Sequence, residues 1–371
     1  MFETLETPAL LLDADKVDAN CRRMRDRLHA HGVALRPHVK TAKNVEVARC
    51  ALGAQDGAIT VSTVREAEYF FDHGFRDILY AVGVVPNKVP RLAALNRRGA
   101  NLAAIVDSVE AARALVEAST KAGVRIPALI EIDSDGHRAG VAPEDDKLLE
   151  IAAALGEGLR GVMTHAGDSY NCGTTDEIRQ VAAREREAVV ASAAKLRRAG
   201  APCPVVSVGS TPTATFADSF EGVSEVRTGV YVFHDLVMAG LGVCALEDIA
   251  ISVLCTVIGH QPDKGWLITD AGWMAMSRDR GTAKQKVDQG YGVVCDAAGR
   301  PIDDLIVADA NQEHGIVARR GGGPIDFTRF PIGTLLRILP NHACATAAQH
   351  AEYQVLRGGK LAGTWERFGG W

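Results

Sequence analysis

Lys40 closes the stretch 33-VALRPHVK-40, where apolar Val33, Ala34 and Leu35 give way to Arg36, His38 and Lys40. A lysine at a strand end can be an ordinary solvated group. It can also be a reagent, because a neutral amine forms a Schiff base with a carbonyl cofactor or substrate. Cationic neighbours such as Arg36 and His38 favour the neutral amine. Lys43 competes for the role, but three residues further on it is expected in a helix or loop, exposed to water.

Other groups carry complementary chemistry. In 209-GSTPT-213, Gly209 lets backbone amides approach an anion, and Ser210 and Thr211 add hydroxyl donors. The same residues also make plain turns. Arg138 in 133-DSDGHRAG-140 and Arg227 in 225-EVRTGVYVF-233 can bind a carboxylate, a phenolate or a ring nitrogen, or can serve as surface ion pairs. His165 in 164-THAGDSY-170 can stack on a planar cofactor or simply be a hydrogen-bonded structural imidazole. Tyr170, Gly229 and Tyr231 fall beside these groups. In 340-PNHACATAAQH-350, His342 and Cys344 stand two apart, which on a strand places both on one face. Imidazole and thiolate together favour zinc, and two protein ligands leave positions open for water or substrate.

Such scattered groups need a scaffold that gathers them. Short apolar runs at 33–39, 57–63, 78–83, 102–107, 127–133, 160–167, 205–211 and 225–233 read as strands. Between most of them lie amphipathic stretches such as 64–74, 108–123 and 175–200, with apolar residues at helical spacing and a glycine after the last turn. The alternation predicts a (β/α)8 TIM-type barrel, with an open doubly wound sheet as the other solution. In a barrel, the groups above collect at the carboxyl ends of the strands, and 209–213 falls where such barrels hold phosphate. After about residue 240 the rhythm changes. Runs at 249–261, 266–272, 291–296, 304–311 and 333–342 predict a second, β-rich domain, which the strand 8-PALLLD-13 can join. The expected division is a barrel over 14–240 and a β-rich domain of 1–13 plus 241–371.

Composition sets bounds. The 371 residues are 47% hydrophobic and 23% charged, with a net charge of −5 and interspersed signs. Nucleic acid or an anionic membrane would favour a basic face, so neither is expected as a partner. The amino terminus reads as neither signal peptide nor span, and no run approaches the ~20 apolar residues of a membrane helix. Eight dispersed cysteines without a C-x-x-C pair read as reduced thiols of a cytoplasmic protein.

The ordered motifs PHVK, DGHRAG, THAGDSY, GSTPT, VRTGVYVFHD and PNHAC, with 6-ETPALLLD-13 before them, span nearly the whole chain. In that order they resemble the D-serine dehydratase and D-threonine aldolase family, fold-type III pyridoxal-phosphate enzymes with an alanine-racemase-like barrel. The resemblance implies a lyase acting on a small-molecule D-3-hydroxy amino acid, with pyridoxal 5'-phosphate and divalent zinc or manganese as cofactors. It implies a homodimer. Lys40 would carry the cofactor, with His38 beside it. Gly209, Ser210 and Thr211 would bind its phosphate, with Gly229 and Tyr231 nearby. His165 would stack on the ring, Arg138 and Arg227 would sit at its polar edge or at the substrate carboxylate, and Tyr170 would line the pocket as a catalytic and cofactor-contacting residue beside Lys40. His342 and Cys344 would bind the metal. Relatives often read K-T-H-K where this chain has 40-KTAK-43, so Ala42 replaces a histidine. The aldolases often carry an aspartate at the second metal position and a further histidine near Tyr170. Here Cys344 stands at that position, and no histidine lies between Ala166 and Cys172. Both features resemble the dehydratases, so β-elimination is expected ahead of retro-aldol cleavage. Racemization and non-catalytic binding of pyridoxal phosphate are more remote alternatives.

Overall fold

A computed structural model describes residues 2, 4–53, 57–136 and 138–371. The chain forms two compact units, Cys21–Gly229 with Gly370–Trp371, and Met1–Asn20 with Val230–Gly369. Strand β1 (Ala9–Asp13) belongs to the second of these.

In the first unit, eight parallel strands alternate with helices. They are β2 (Ala34–Pro37), β3 (Ile59–Val61), β4 (Asp77–Gly83), β5 (Asn101–Val106), β6 (Ala128–Glu131), β7 (Leu159–Met163), β8 (Val205–Val208) and β9 (Glu225–Thr228). Their order is β2-β9-β8-β7-β6-β5-β4-β3. A parallel bridge between His38 and Thr60 joins the two ends of that order, and the Val39 amide donates to the Thr60 carbonyl at 3.0 Å. This junction makes the sheet a barrel rather than an open doubly wound layer. The expected helices form at Val64–Asp72, Val109–Lys121 and Thr175–Arg198. Thr63, Ser108 and Thr174 cap them, each accepting a backbone N–H that the helix leaves unpaired. Leu79, Ile105, Leu129 and Met163 come from four successive strands and pack as one buried cluster.

The second unit is a nine-stranded sheet around β1. Its other strands are β10 (Ile251–Gln261), β11 (Trp266–Thr269), β12 (Gly292–Cys295), β13 (Pro301–Ala310), β14 (Gly315–Arg319), β15 (Leu335–Pro340), β16 (Glu352–Arg357) and β17 (Lys360–Glu366). The order β11-β14-β13-β12-β15-β10-β1-β16-β17, with a further β10–β11 pairing, closes six of them into a ring. Phe2, Leu11, Leu254 and Leu356 pack where β1 meets β10 and β16. β14, β16 and β17 lie outside the sequence-predicted strands. Among the described residues no helix is long and apolar enough to cross a membrane.

The strand expected over 333–342 stops early, at Pro340. His342 keeps extended backbone, but Cys344 sits in a short helix, Ala343–Ala347. The pair therefore does not share a strand face. The turn is imposed from outside: the buried Asp235 carboxylate accepts the Ala343 amide at 2.9 Å, which starts that helix.

Candidate active site

At the carboxyl end of β2 the chain leaves the sheet in a turn that leaves Lys40 exposed to water, its charge within reach of His38 and His165. His38 is anchored by its amide to the Thr228 carbonyl at 2.7 Å, and its Nε2 lies 3.3 Å from the Ser62 hydroxyl. A Cβ on Gly229 would come within 2.8 Å of the His38 carbonyl oxygen and 3.1 Å of Thr41 Oγ1, so the Lys40 turn can pack there only against glycine. Ala42 is buried beneath the turn. Lys43, expected in water, instead points inward, with its amine 3.2 Å from the buried Glu66 carboxylate. Arg36 is engaged lower in the barrel, at 2.8 Å from both Asp77 and Glu225. Two carboxylates offset its charge, so it does not add to the cationic character around Lys40.

His165, in the segment following β7, pairs its Nδ1 with the Gly209 carbonyl at 2.8 Å. A carbonyl can only accept, so this nitrogen carries the proton and Nε2 is left bare. Burial, aided by the charges of Lys40 and Arg227, lowers the His165 pKa to about 3. Burial also pushes His38 well below the ordinary histidine value, and Lys40, Arg227 and His165 add to the effect. Both imidazoles are thus neutral at physiological pH. Tyr170 ends a turn after His165, its ring centroid 6.2 Å from the imidazole.

Gly209 has a φ of +151°, and a Cβ there would lie 1.7 Å from the Arg227 carbonyl oxygen, so no other residue fits. The Gly209 amide donates to Glu185 at 2.8 Å and the Ser210 amide to Thr213 Oγ1 at 3.2 Å. Amides expected to face an anion are therefore bonded internally. The Ser210 hydroxyl lies 2.9 Å from Ser169 and caps the short helix Thr211–Phe216; that of Thr211 lies 2.6 Å from Thr228. These hydroxyls can rotate towards an incoming anion.

Beneath them Arg227 is buried, bonded to the Ser207 hydroxyl and the Thr164 carbonyl. Burial lowers its pKa, opposed by Glu225, Glu185 and Glu131. Glu185, on the helix Thr175–Arg198, escaped the sequence reading. It is fully enclosed and accepts the Ala166 and Gly209 amides, tying the His165 segment to the glycine turn. Burial raises its pKa against those bonds. Its only sequence signal is an acid placed among the buried positions of an amphipathic helix. Arg138 is exposed and lies 3.1 Å from Glu131; its neighbour His137 is outside the described residues.

The remaining expected residues lie in the β-rich unit. Tyr231 is buried in a turn, Val230–Val232. His342 Nδ1 lies 2.5 Å from the Asp279 carboxylate. Burial disfavours the imidazolium, but Asp279 and Cys344 outweigh it and raise the pKa to about 11. Asp279, 63 residues away in sequence, was not expected. Asn341 steadies the turn, its side chain accepting from Thr282 and donating to the Gly290 carbonyl at 2.7 Å. Among the described residues no group of three or more His, Cys, Asp or Glu is arranged to hold a metal, so a bound ion would rest on the pair and on water or substrate.

Residues 12–236 match the family model of the alanine racemase N-terminal domain, and 250–356 that of a serine dehydratase domain. The chain belongs to the alanine racemase/D-serine dehydratase family. Within this family it is 56% identical to D-threo-3-hydroxyaspartate dehydratase of Delftia sp. over 99% of this chain and 98% of that protein. It is 32% identical to D-serine dehydratase of Dictyostelium discoideum, over 96% and 94% of the two chains. D-threonine aldolase of Arthrobacter sp. is also 32% identical, over 98% and 92%. The solved Delftia enzyme superposes with a TM-score of 0.97 at 55% identity, covering 99% of each chain. Its solved forms include a His-to-Ala variant and, two positions on, a Cys-to-Ala variant in a metal-free form. An alanine racemase of Clostridium difficile, 15% identical with a TM-score of 0.69, shares the fold.

The residues fit the cofactors of this family. Among the described residues no carboxylate pairs with the Lys40 amine, and rotatable hydroxyls with a buried arginine suit an anionic group. His342 and Cys344 offer nitrogen and sulfur donors to a borderline-soft cation, with Asp279 set to orient the imidazole.

Proposed function

We propose that this chain is a pyridoxal-phosphate- and divalent-metal-dependent lyase that dehydrates D-3-hydroxy amino acids, with D-threo-3-hydroxyaspartate as the first substrate to test. The observation that carries the reading is the His342–Cys344 pair. It has the two-residue spacing of the histidine and cysteine replaced in the solved variants of the Delftia dehydratase. In this reading the barrel, 14–240, binds the cofactor, and the β-rich region of 1–13 and 241–371 carries the metal donors.

When bound, pyridoxal phosphate supplies an electron sink for charge developing at Cα, and zinc or manganese supplies a Lewis acid that assists loss of a β-hydroxyl. Lys40 would hold the cofactor through Nζ, and the same atom would serve as the base that takes the Cα proton. Ser210 and Thr211 would donate their hydroxyls to the phosphate, with Tyr231 as a further cofactor contact, while Gly209 lets the turn that carries them pack against the Arg227 carbonyl. Neutral His165, its proton fixed on Nδ1 by the Gly209 carbonyl, presents a flat uncharged face to the ring. Arg138 and Arg227 serve the ring's polar edge or the substrate carboxylate, and Tyr170 lines the pocket. His342 and Cys344 hold the metal.

The reading is tested by incubating the holoenzyme with D-threo-3-hydroxyaspartate, D-serine and D-threonine in the presence of zinc or manganese. The expected products are a 2-oxo acid and ammonia. Glycine and an aldehyde as the sole products would instead establish the aldolase reaction, the alternative that 32% identity to D-threonine aldolase supports.

A further inference from the structure

Lys43 and Glu66 form a largely enclosed ion pair of a kind that seldom stabilises a fold by itself, because the carboxylate loses its water and the ammonium most of its own. Glu66 is fully enclosed in the first turn of the helix Val64–Asp72. Its two oxygens reach opposite sides of the Lys40 turn. Oε2 accepts the Ser62 amide at 2.7 Å, and the Ser62 hydroxyl in turn meets His38 Nε2 at 3.3 Å. Oε1 lies 3.2 Å from Lys43 Nζ and has no hydrogen-bond partner among the described residues. Lys43 has a φ of +45°, left-handed backbone that a lysine rarely adopts. Its amide is also bonded to the Val39 carbonyl at 2.9 Å, which closes the turn on itself.

One carboxylate therefore grips the residues on both sides of Lys40: His38 through Ser62, and Lys43 directly. We propose that Lys43 and Glu66 are positioning residues that set the direction of the Lys40 amine for capture of an aldehyde cofactor. The inference rests on the reading that Lys40 carries pyridoxal phosphate. Lys43 is no alternative nucleophile; its inward charge holds the turn from below.

The test uses the full chain, stripped of cofactor and mixed with pyridoxal phosphate. Borohydride trapping followed by intact-mass spectrometry gives the rate of covalent capture, and thermal unfolding is recorded alongside. Glu66→Asp keeps the charge but shortens the reach. The Lys43→Met/Glu66→Gln double variant removes both charges at similar volume. Both are expected to capture the aldehyde about 100-fold more slowly, the scale of a misplacement near 1 Å, while the double variant melts close to the parent. Capture by the double variant at the parental rate overturns the proposal, since charge compensation alone would then explain the pair. Should Glu66→Asp fail to fold, the double variant decides. Lys40→Ala separates the two claims. Continued trapping in that variant sinks the lysine assignment and the inference with it. Loss of trapping there, with normal capture in the double variant, sinks the inference alone.

Discussion

Two imidazoles kept neutral beside an amine give the barrel mouth a measurable signature. In the folded apoprotein His165 stays unprotonated down to about pH 3, whereas in the unfolded chain it takes a proton near the ordinary value of 6.5. Between those values the unfolded state binds more protons, so stability falls as the pH drops. From pH 7 to pH 5 this one group accounts for a loss of about 2 kcal/mol. Urea denaturation of apo His165→Asn at both pH values is expected to show a loss smaller by about that amount. His38, shifted in the same direction by burial, adds a slope of the same sign. The holo form of Lys40→Ala is expected to lose its near-visible Schiff-base absorbance, which a spectrum checks.

Helices brace this site from behind. Glu185→Ala leaves the buried amides of Ala166 and Gly209 without their acceptor, so a destabilisation of about 1–3 kcal/mol is expected in chemical denaturation. Thr174→Ala removes one half of a capping box on the same helix and is expected to cost about 1 kcal/mol without altering cofactor capture. The helix itself was legible, because its apolar residues recur at helical spacing. So were the eight barrel strands, within a few residues at their ends, and with them Lys40, His165 and Gly209 at strand ends. Glu66 and Glu185 were not. Each sits on an amphipathic helix where an acid reads as a solvated position, and only the tertiary fold encloses it. The His342–Cys344 turn was misread as strand, since the bond from Asp235 to the Ala343 amide spans 108 residues and leaves no local trace. Asp279 was hidden for the same reason.

At the level of the whole chain, metal should act as a ligand of the native state. Zinc is expected to raise the melting temperature of the parent in a concentration-dependent way, and not that of His342→Ala or Cys344→Ala. Metal retained after dialysis, measured by elemental analysis, should fall in parallel. The path of the chain also bears on its biosynthesis. β1 is an interior strand of its sheet, hydrogen-bonded to β10 on one side and β16 on the other, and Leu10, Leu11 and Leu12 are almost completely enclosed there. Its first neighbour begins only at Ile251. On a ribosome working at about 5–20 residues per second, these leucines emerge early and wait on the order of tens of seconds for a partner strand. The nascent chain therefore exposes a sticky apolar segment while the barrel segment is being completed. That interval is when holding chaperones would be expected to engage the β1 segment.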